Sequence, residues 1–313
     1  MSSNATESPY LEPYNEATTI DFWTTLAVSI LLLIILAVLL VREALSNAAS
    51  NRPRKTFSVF NVLLLTMIIS NCVGMIFQYI YAFCLDPTLS VIYLCIASVF
   101  STIFQYSIVL YAWNRGFPVI QVTISWISPY LVAFLVFYGI LQVSELIVFT
   151  LDNIAFSMSN VNLPLDLLDQ IVRIQTIAIE VSIASFDAFI TAVYIYYLWS
   201  IRNMNNELNV RKLVVISWFG VISFVCIEFW LTLYVLYAVW SYDSDRTISI
   251  FLYSFSLHVS DLGPLLFLVA QVGLKWALLQ DDGDSRSNSK IINVALRFSD
   301  LIPGKANEFD ATH

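Results

Sequence analysis

Seven long apolar runs dominate this sequence and constrain its fold more than any other feature. They lie at residues 22–42, 57–83, 89–113, 118–143, 171–200, 212–240 and 248–277. Each is near or above the roughly 20 residues that a helix needs to cross the hydrocarbon core of a bilayer. The sequence therefore predicts an all-α membrane protein with a seven-helix transmembrane domain over residues 22–279.

Composition agrees with this interpretation and limits the partners. Of the 313 residues, 58% are hydrophobic and only 12% are charged, whereas about 25% of the residues in a soluble domain are charged. The lipid bilayer is therefore the first predicted partner. The net charge of −8 and the placement of the basic residues in short loops do not indicate a nucleic-acid partner.

The basic residues predict the orientation of the bundle. Counted by loop, 13 of the 15 Lys and Arg residues lie on one side of the predicted membrane, and only Arg173 and Arg246 lie on the other. Lys and Arg are enriched in cytoplasmic loops. We therefore expect an extracellular N-terminal tail over residues 1–21, a cytosolic tail over 280–313, and residence in the plasma membrane.

Each tail carries one further feature. Asn4 begins an Asn-Ala-Thr glycosylation sequon, which is used only if the N-terminal tail reaches a secretory lumen. In the C-terminal tail, apolar residues recur at helical spacing next to basic ones; they are Ile291, Ala295, Phe298 and Leu301. This pattern predicts a short amphipathic helix on the inner leaflet, and a disordered tail is the alternative.

Ionisable side chains inside the apolar runs are confined to the last three. They are Glu180 and Asp187 in the fifth run, Glu228 in the sixth, and His258 and Asp261 in the seventh. Charged groups at membrane depth are costly and mark functional sites by default. We interpret the five as a binding site for a cation, a proton or an amine-bearing ligand. The alternative is that neutral carboxyls only join helices by hydrogen bonds.

The estimated depths of these residues suggest one shared cavity. Asp187, Glu228 and Asp261 lie near the middle of their runs, while Glu180 is nearer the outer end and could simply line a wet mouth. No Lys or Arg lies mid-run, so the carboxyls must be protonated, hydrated or paired with a cation. His258 can supply one positive charge. Asp261 is its expected partner because residues three apart share a helix face.

A proline in the seventh run predicts a local break in helical hydrogen bonding. Pro264 cannot donate a backbone hydrogen bond, so the carbonyl of Ser260, four residues earlier, loses its helical donor. The resulting kink would give the seventh helix two possible arrangements, which a ligand could bias only through different affinities for them.

Several classes of protein are excluded by what the chain lacks. It has only two histidines, His258 and the C-terminal His313, which is too few for a multi-histidine metalloenzyme. It has no G-x-S-x-G, P-loop or G-x-G-x-x-G motif. We therefore predict no catalytic residues, no metal and no cofactor. A retinal Schiff base is disfavoured because the only lysine of the seventh run, Lys275, lies at its cytosolic end.

Seven spans with an external N-terminus resemble the plan of the G-protein-coupled receptor superfamily. Trp113-Asn114-Arg115-Gly116 ends the third run, and its arginine corresponds to that of the family's acidic-Arg-aromatic triplet. Gly263-Pro264-Leu265-Leu266-Phe267 keeps the proline and an aromatic of N-P-x-x-Y. The chain departs from the family in lacking a proline in the sixth run and the cysteine pair of helix three and the second outer loop.

This resemblance implies a divergent receptor that binds a ligand from outside among helices five to seven. It also implies a cytosolic face read by a signalling partner, with Arg115 in the loop after the third run and Arg211 and Lys212 in the loop before the sixth. The ligand would be cationic or apolar. Two alternatives remain open: a proton- or cation-coupled transporter or channel that uses the same carboxylates, and a scaffold or trafficking protein that acts through its loops and tail.

Overall fold

The protein is represented by a computed structural model that describes residues 11–49, 58–157, 165–202, 207–242 and 250–300. All regular structure in these ranges is helical, and seven helices are long and apolar enough to cross a membrane. The helices are α1 Leu11–Ala49, α2 Val59–Phe83, α3 Pro87–Thr123, α4 Ser128–Ser157, α5 Leu165–Arg202, α6 Glu207–Tyr242 and α7 Ile250–Asp300. The predicted all-α protein with seven apolar, membrane-length helices is therefore confirmed.

Local sequence explains where two of the helices begin. The Ser58 side chain accepts a hydrogen bond from the backbone N–H of Asn61 at the start of α2. Asp86 caps α3 by accepting hydrogen bonds from the backbone N–H groups of Thr88 and Leu89, and Pro87 occupies the first helical position. Side-chain caps satisfy amide groups that have no intrahelical acceptor, and proline at the first position loses no needed donor.

Two helices extend beyond the predicted boundaries at their membrane ends. α1 begins at Leu11, inside the segment that we predicted to be a tail, and its apolar span begins at Glu16. α3 continues through Pro118 to Thr123, although Pro118 was predicted to open the fourth span. The proline removes one helical hydrogen bond, but Val119 and the fully buried Ile120 after it pack into the core.

The two later helices also differ from the prediction. α6 begins at Glu207, so Arg211 and Lys212 lie on a helix and not in a loop. α7 continues unbroken to Asp300, where we had predicted a separate tail from residue 280. The structure does not describe the side chains of 281–300, so the amphipathic character of that segment stays a prediction.

The helices form a closed ring. Each helix packs against the next one along the chain, α1 also packs against α7, and α3 contacts α2, α4 and α5. Because successive helices run antiparallel, α1, α3, α5 and α7 begin at the same end of the bundle. We call this the N-end, and we call the opposite end the C-end. The ring places the first and last helices side by side.

The bundle is apolar both inside and outside. Its core is a cluster of buried side chains that includes Leu36, Leu64, Ile108, Tyr138 and Leu268. The outward faces of the helices also expose many large apolar side chains, which suits a surface surrounded by lipid. This leaves the buried polar groups as the unusual feature of the interior.

Two glycines allow neighbouring helices to approach closely. A Cβ atom at Gly116 on α3 would lie 2.8 Å from two carbons of Ile190 on α5. A Cβ at Gly263 on α7 would lie 2.4 Å from the indole of Trp230 on α6. Both distances are shorter than a van der Waals contact, so the absence of a side chain permits these crossings.

We predict that Gly263→Ala destabilises the protein by about 1–3 kcal/mol, because the added methyl group must displace Trp230. Gly74→Ala is the matched control, since its Cβ would meet Phe100 at an ordinary 3.5 Å. The control should be neutral or slightly stabilising because alanine favours helix. Apparent melting temperatures of the purified variants in detergent measure both effects. Equal melting temperatures would contradict the proposed contact.

Candidate functional site

A side-chain hydrogen bond joins α6 to the backbone carbonyl that Pro264 leaves without a helical donor in α7. Pro264 leaves the carbonyl of Ser260 without a helical donor, and the indole Nε1–H of Trp230 donates to this oxygen over 3.0 Å. Trp230 is buried, and its ring also meets Phe104 of α3 edge-on. The sequence predicted the free carbonyl at Ser260 but not its partner. The α6–α7 contact is therefore built around the kink-forming residue.

A cavity of about 310 Å³ lies directly beside this joint. It is enclosed by residues of α2, α3, α6 and α7, and its lining includes Trp230, Ser260 and Pro264. Asp261 is the only carboxylate in that lining. Its Oδ2 atom is buried and has no hydrogen-bond partner among the described residues. The cavity is thus bordered by one carboxylate oxygen that has no hydrogen-bond partner among the described residues.

Amides and hydroxyls make up most of the remaining polar lining of this cavity. They are Ser70, Asn71 and Gln78 on α2 and Ser98, Ser101 and Gln105 on α3. Gln78 lies within hydrogen-bonding reach of Asp261. Such groups can solvate a cation or orient a polar ligand without adding a compensating positive charge. The described lining therefore holds one carboxyl group and no Lys, Arg or His side chain.

Asp187 does not reach this cavity, because it forms a buried ion pair. Its Oδ1 accepts a hydrogen bond from Nη2 of Arg115 over 3.2 Å, and the two side chains are 4% and 5% exposed. The hydroxyl of Tyr194 donates to the backbone carbonyl of Arg115, and its ring lies 6.0 Å from the guanidinium carbon. This cluster holds α3 against α5 in the C-end half.

Arg115 therefore corrects two predictions. We placed it in a cytosolic loop and stated that no cation was available within the bundle. Because α3 continues beyond Pro118, Arg115 enters the bundle and neutralises Asp187. The apolar sequence on both sides of Arg115 is unusual for a loop, and this feature could have predicted that Arg115 lies in a helix.

His258 pairs with the first helix and not with its expected partner Asp261. Its Nδ1 lies 2.6 Å from Oδ1 of Asp21, a residue of α1 with no exposed surface. We had assigned Asp21 to the extracellular tail. The prediction failed because α1 begins earlier than its apolar run, which places Asp21 within the bundle at the N-end.

Glu180 is buried in a network of amides and does not line a wet mouth. It is 1% exposed, and its Oε1 accepts a hydrogen bond from Nε2 of Gln105 over 3.0 Å. Gln142 in turn donates to Oε1 of Gln105 and to the hydroxyl of Tyr138. The network ties α3, α4 and α5 together and fixes the orientation of the Gln105 amide.

A further polar cluster at the C-end was not predicted. Lys275 of α7 donates hydrogen bonds of 2.7 Å to Glu43 of α1 and to Asn61 of α2. Asn61 also donates to Glu43 over 3.2 Å. Glu43, next to Arg42 at the end of the first run, was the sequence feature that could have indicated this cluster. This cluster fastens the C-end of α1 to its two neighbours.

One further predicted residue lies outside the lining of the cavity. Glu228 is half-buried on α6 and is absent from the lining of the cavity. The side chains of Arg211 and Lys212 on α6 lie outside the described residues, as does Asn4. In the described part of the chain, no three His, Cys, Asp or Glu side chains are grouped to hold a metal ion.

The five residues predicted to form the ligand site are therefore separated by the structure. Asp187, Glu180 and His258 belong to three different polar clusters, and only Asp261 lines the cavity. The structure therefore does not bring the five residues into this one cavity. No family model, curated protein or solved structure matches this chain.

We predict that breaking the buried pair with Arg115→Gln or Asp187→Asn costs about 3–5 kcal/mol, because each change leaves one buried charge uncompensated. The double variant should lose much less than the sum of the two single losses. Asp169→Asn is the control, since the exposed Asp169–Arg173 pair should contribute only about 0.2–1 kcal/mol. Thermal unfolding in detergent gives these values. Strictly additive losses would show that the two charges do not interact.

Proposed function

We propose that this protein is a seven-helix receptor-like membrane protein that binds an amine-bearing ligand beside Asp261 and relays the binding to its C-end. Binding, and not catalysis, is its proposed role, and no cofactor is needed for it. The observation that carries the proposal is Asp261, the one carboxylate among the described residues that line the 310 Å³ cavity. This cavity borders the contact of α6 with α7 near Pro264.

The cavity and the α6–α7 contact share residues, so ligand binding in the cavity would be coupled to the relative position of α6 and α7. Trp230, Ser260 and Pro264 line the cavity, and the α6–α7 hydrogen bond runs from the Trp230 indole to the Ser260 carbonyl. A ligand in contact with them would have different affinities for different arrangements of the two helices. It would then shift the population toward the arrangement that it binds better.

The C-end supplies the proposed output. The Arg115–Asp187 pair and the Lys275–Glu43–Asn61 cluster hold α3 to α5 and α7 to α1 and α2 there. A shift of α6 would change the surface next to these fastened helices. A cytosolic signalling partner would read that surface through the basic start of α6, where Arg211 and Lys212 lie.

The proposed orientation places the N-end outside the cell and the C-end in the cytosol, in the plasma membrane. It rests on the distribution of Lys and Arg, which favours a cytosolic C-end. The cavity residue Asp261 lies in the N-end half of α7, so this orientation would let an extracellular ligand approach it.

The orientation predicts that Asn4 carries a glycan when the protein is made in eukaryotic cells, because the N-terminal tail would enter the secretory lumen. Treatment with an N-glycosidase should increase electrophoretic mobility, and Asn4→Gln should remove this shift. Serine at Thr6 (Thr6→Ser) is the control, since it keeps the sequon. A cytosolic N-terminus would leave all three proteins unmodified and resistant to the enzyme.

The alternatives place different demands on the same residues. A proton- or cation-coupled transporter would need carboxyls in succession along a path, but those of Asp187, Asp21 and Glu180 are held in separate clusters. This separation supports a receptor over a relay. A scaffold or trafficking role would depend on loops and on residues 280–313, and it would not need the cavity.

We predict that Asp261→Asn abolishes binding of benzylamine, because the cavity lining then lacks its only negative charge. Wild-type protein in nanodiscs should bind benzylamine with a change in Trp fluorescence, since Trp230 lines the cavity. Benzyl alcohol should bind wild type much more weakly than benzylamine does. Its affinity should be the same for wild type and for Asp261→Asn.

Glu228→Gln is the matched control, because it neutralises another acid of the membrane-spanning region outside the cavity lining. It should leave benzylamine affinity unchanged. Loss of binding in Glu228→Gln with retention in Asp261→Asn would contradict the proposed site. A pH-dependent ion flux in proteoliposomes that Asp261→Asn removes would favour the transporter.

A further inference from the structure

A second, smaller cavity lies next to the larger one. Its volume is about 190 Å³, and its walls come from α3, α4, α5 and α6. Leu146, Phe149 and Ile177 supply apolar surface, and Thr102 projects from α3. None of the five residues that we predicted as ligand-binding lines this cavity. It is therefore a separate space with its own chemistry.

The two cavities share part of their walls. Ser98, Ser101, Gln105 and Tyr234 line both the larger and the smaller cavity. Three of these residues lie on α3 and the fourth lies on α6. Since the same side chains border both spaces, the cavities adjoin across a waist formed by these four residues. Gln105 is held in place there by its hydrogen bonds to Glu180 and Gln142.

The volumes of the two cavities suit one ligand that occupies both. Ligand pockets in proteins usually measure about 300–1,000 Å³. The larger cavity, of about 310 Å³, is at the lower limit of that range, and the smaller one, of about 190 Å³, is below it. A ligand that occupied both would have the volume of an ordinary small-molecule site.

The charges in the two cavities differ, and this sets the polarity of such a ligand. The larger cavity has Asp261 without a compensating cation in its lining. The smaller cavity has both signs, Glu145 and Arg173. Glu145 accepts a hydrogen bond from Thr176, and Arg173 donates one to Asp169. The smaller cavity is thus close to neutral in charge, and its lining mixes hydroxyl and amide groups with apolar side chains.

We propose that the two cavities form one elongated site for an amine with an extended, uncharged body. The ammonium group binds Asp261 in the larger cavity, and the body passes the waist at Gln105 and Tyr234 into the smaller cavity. The inference rests on the proposed function, because it needs Asp261 as the cation-binding group. It adds the shape and length of the ligand.

The test is a series of phenylalkylamines from benzylamine to 6-phenylhexylamine, measured by fluorescence titration of the protein in nanodiscs. Wild-type affinity should rise by about fourfold for each added CH₂ group once the chain passes the waist. Thr102→Phe, which fills the smaller cavity, should bind benzylamine as wild type does. Its affinity for the longest amines should fall at least tenfold below that of wild type.

Two controls keep the outcome interpretable. Val235→Phe fills the same cavity from α6 and should reproduce the effect if Thr102→Phe does not fold. Asp261→Asn in identical nanodiscs measures the partitioning of each amine into lipid. Equal chain-length profiles in wild type and in the folded cavity-filling variant would overturn the elongated site while Asp261-dependent binding survived. Absence of any Asp261-dependent binding would refute the proposed function itself.

Discussion

Charge burial in an apolar bundle is the constraint on which the rest of this structure depends. A carboxylate or ammonium group at membrane depth is stable only when it is neutralised or hydrogen-bonded. The chain meets this requirement by pairing Arg115 with Asp187, Lys275 with Glu43 and His258 with Asp21. Each pair joins helices that are distant in sequence, so satisfying the charges also fixes which helices are neighbours.

Asp261 stands out against this background of paired charges. Its neighbours on α7 are engaged, since His258 contacts α1 and the Ser260 carbonyl accepts the bond from Trp230. Its own Oδ2 is buried without a partner among the described residues, beside the larger of the two cavities. Unlike Asp21, Asp187 and Glu43, it has no basic partner among the described ion pairs, and it lines the cavity.

Sequence patterns predicted the number and type of helices because about 20 apolar residues in succession have few other ways to be accommodated. They also predicted the free carbonyl created by Pro264, which is a covalent property of proline. The partners of the charged residues were not predictable, since they depend on helix rotation and on exact helix ends. Asp21 and Arg115 were both assigned to segments outside the bundle, and two helix ends that extend further than expected, those of α1 and α3, brought them inside.

The fastening of α1 has a consequence for how the chain is assembled. The first helix carries two acids, Asp21 and Glu43, whose described charged partners His258 and Lys275 both lie on the last helix. A ribosome makes α1 first and α7 last, so these two acids must wait, hydrated or protonated, until nearly the whole chain has been synthesised. A chain shortened before α7 would leave Asp21 and Glu43 without these basic partners.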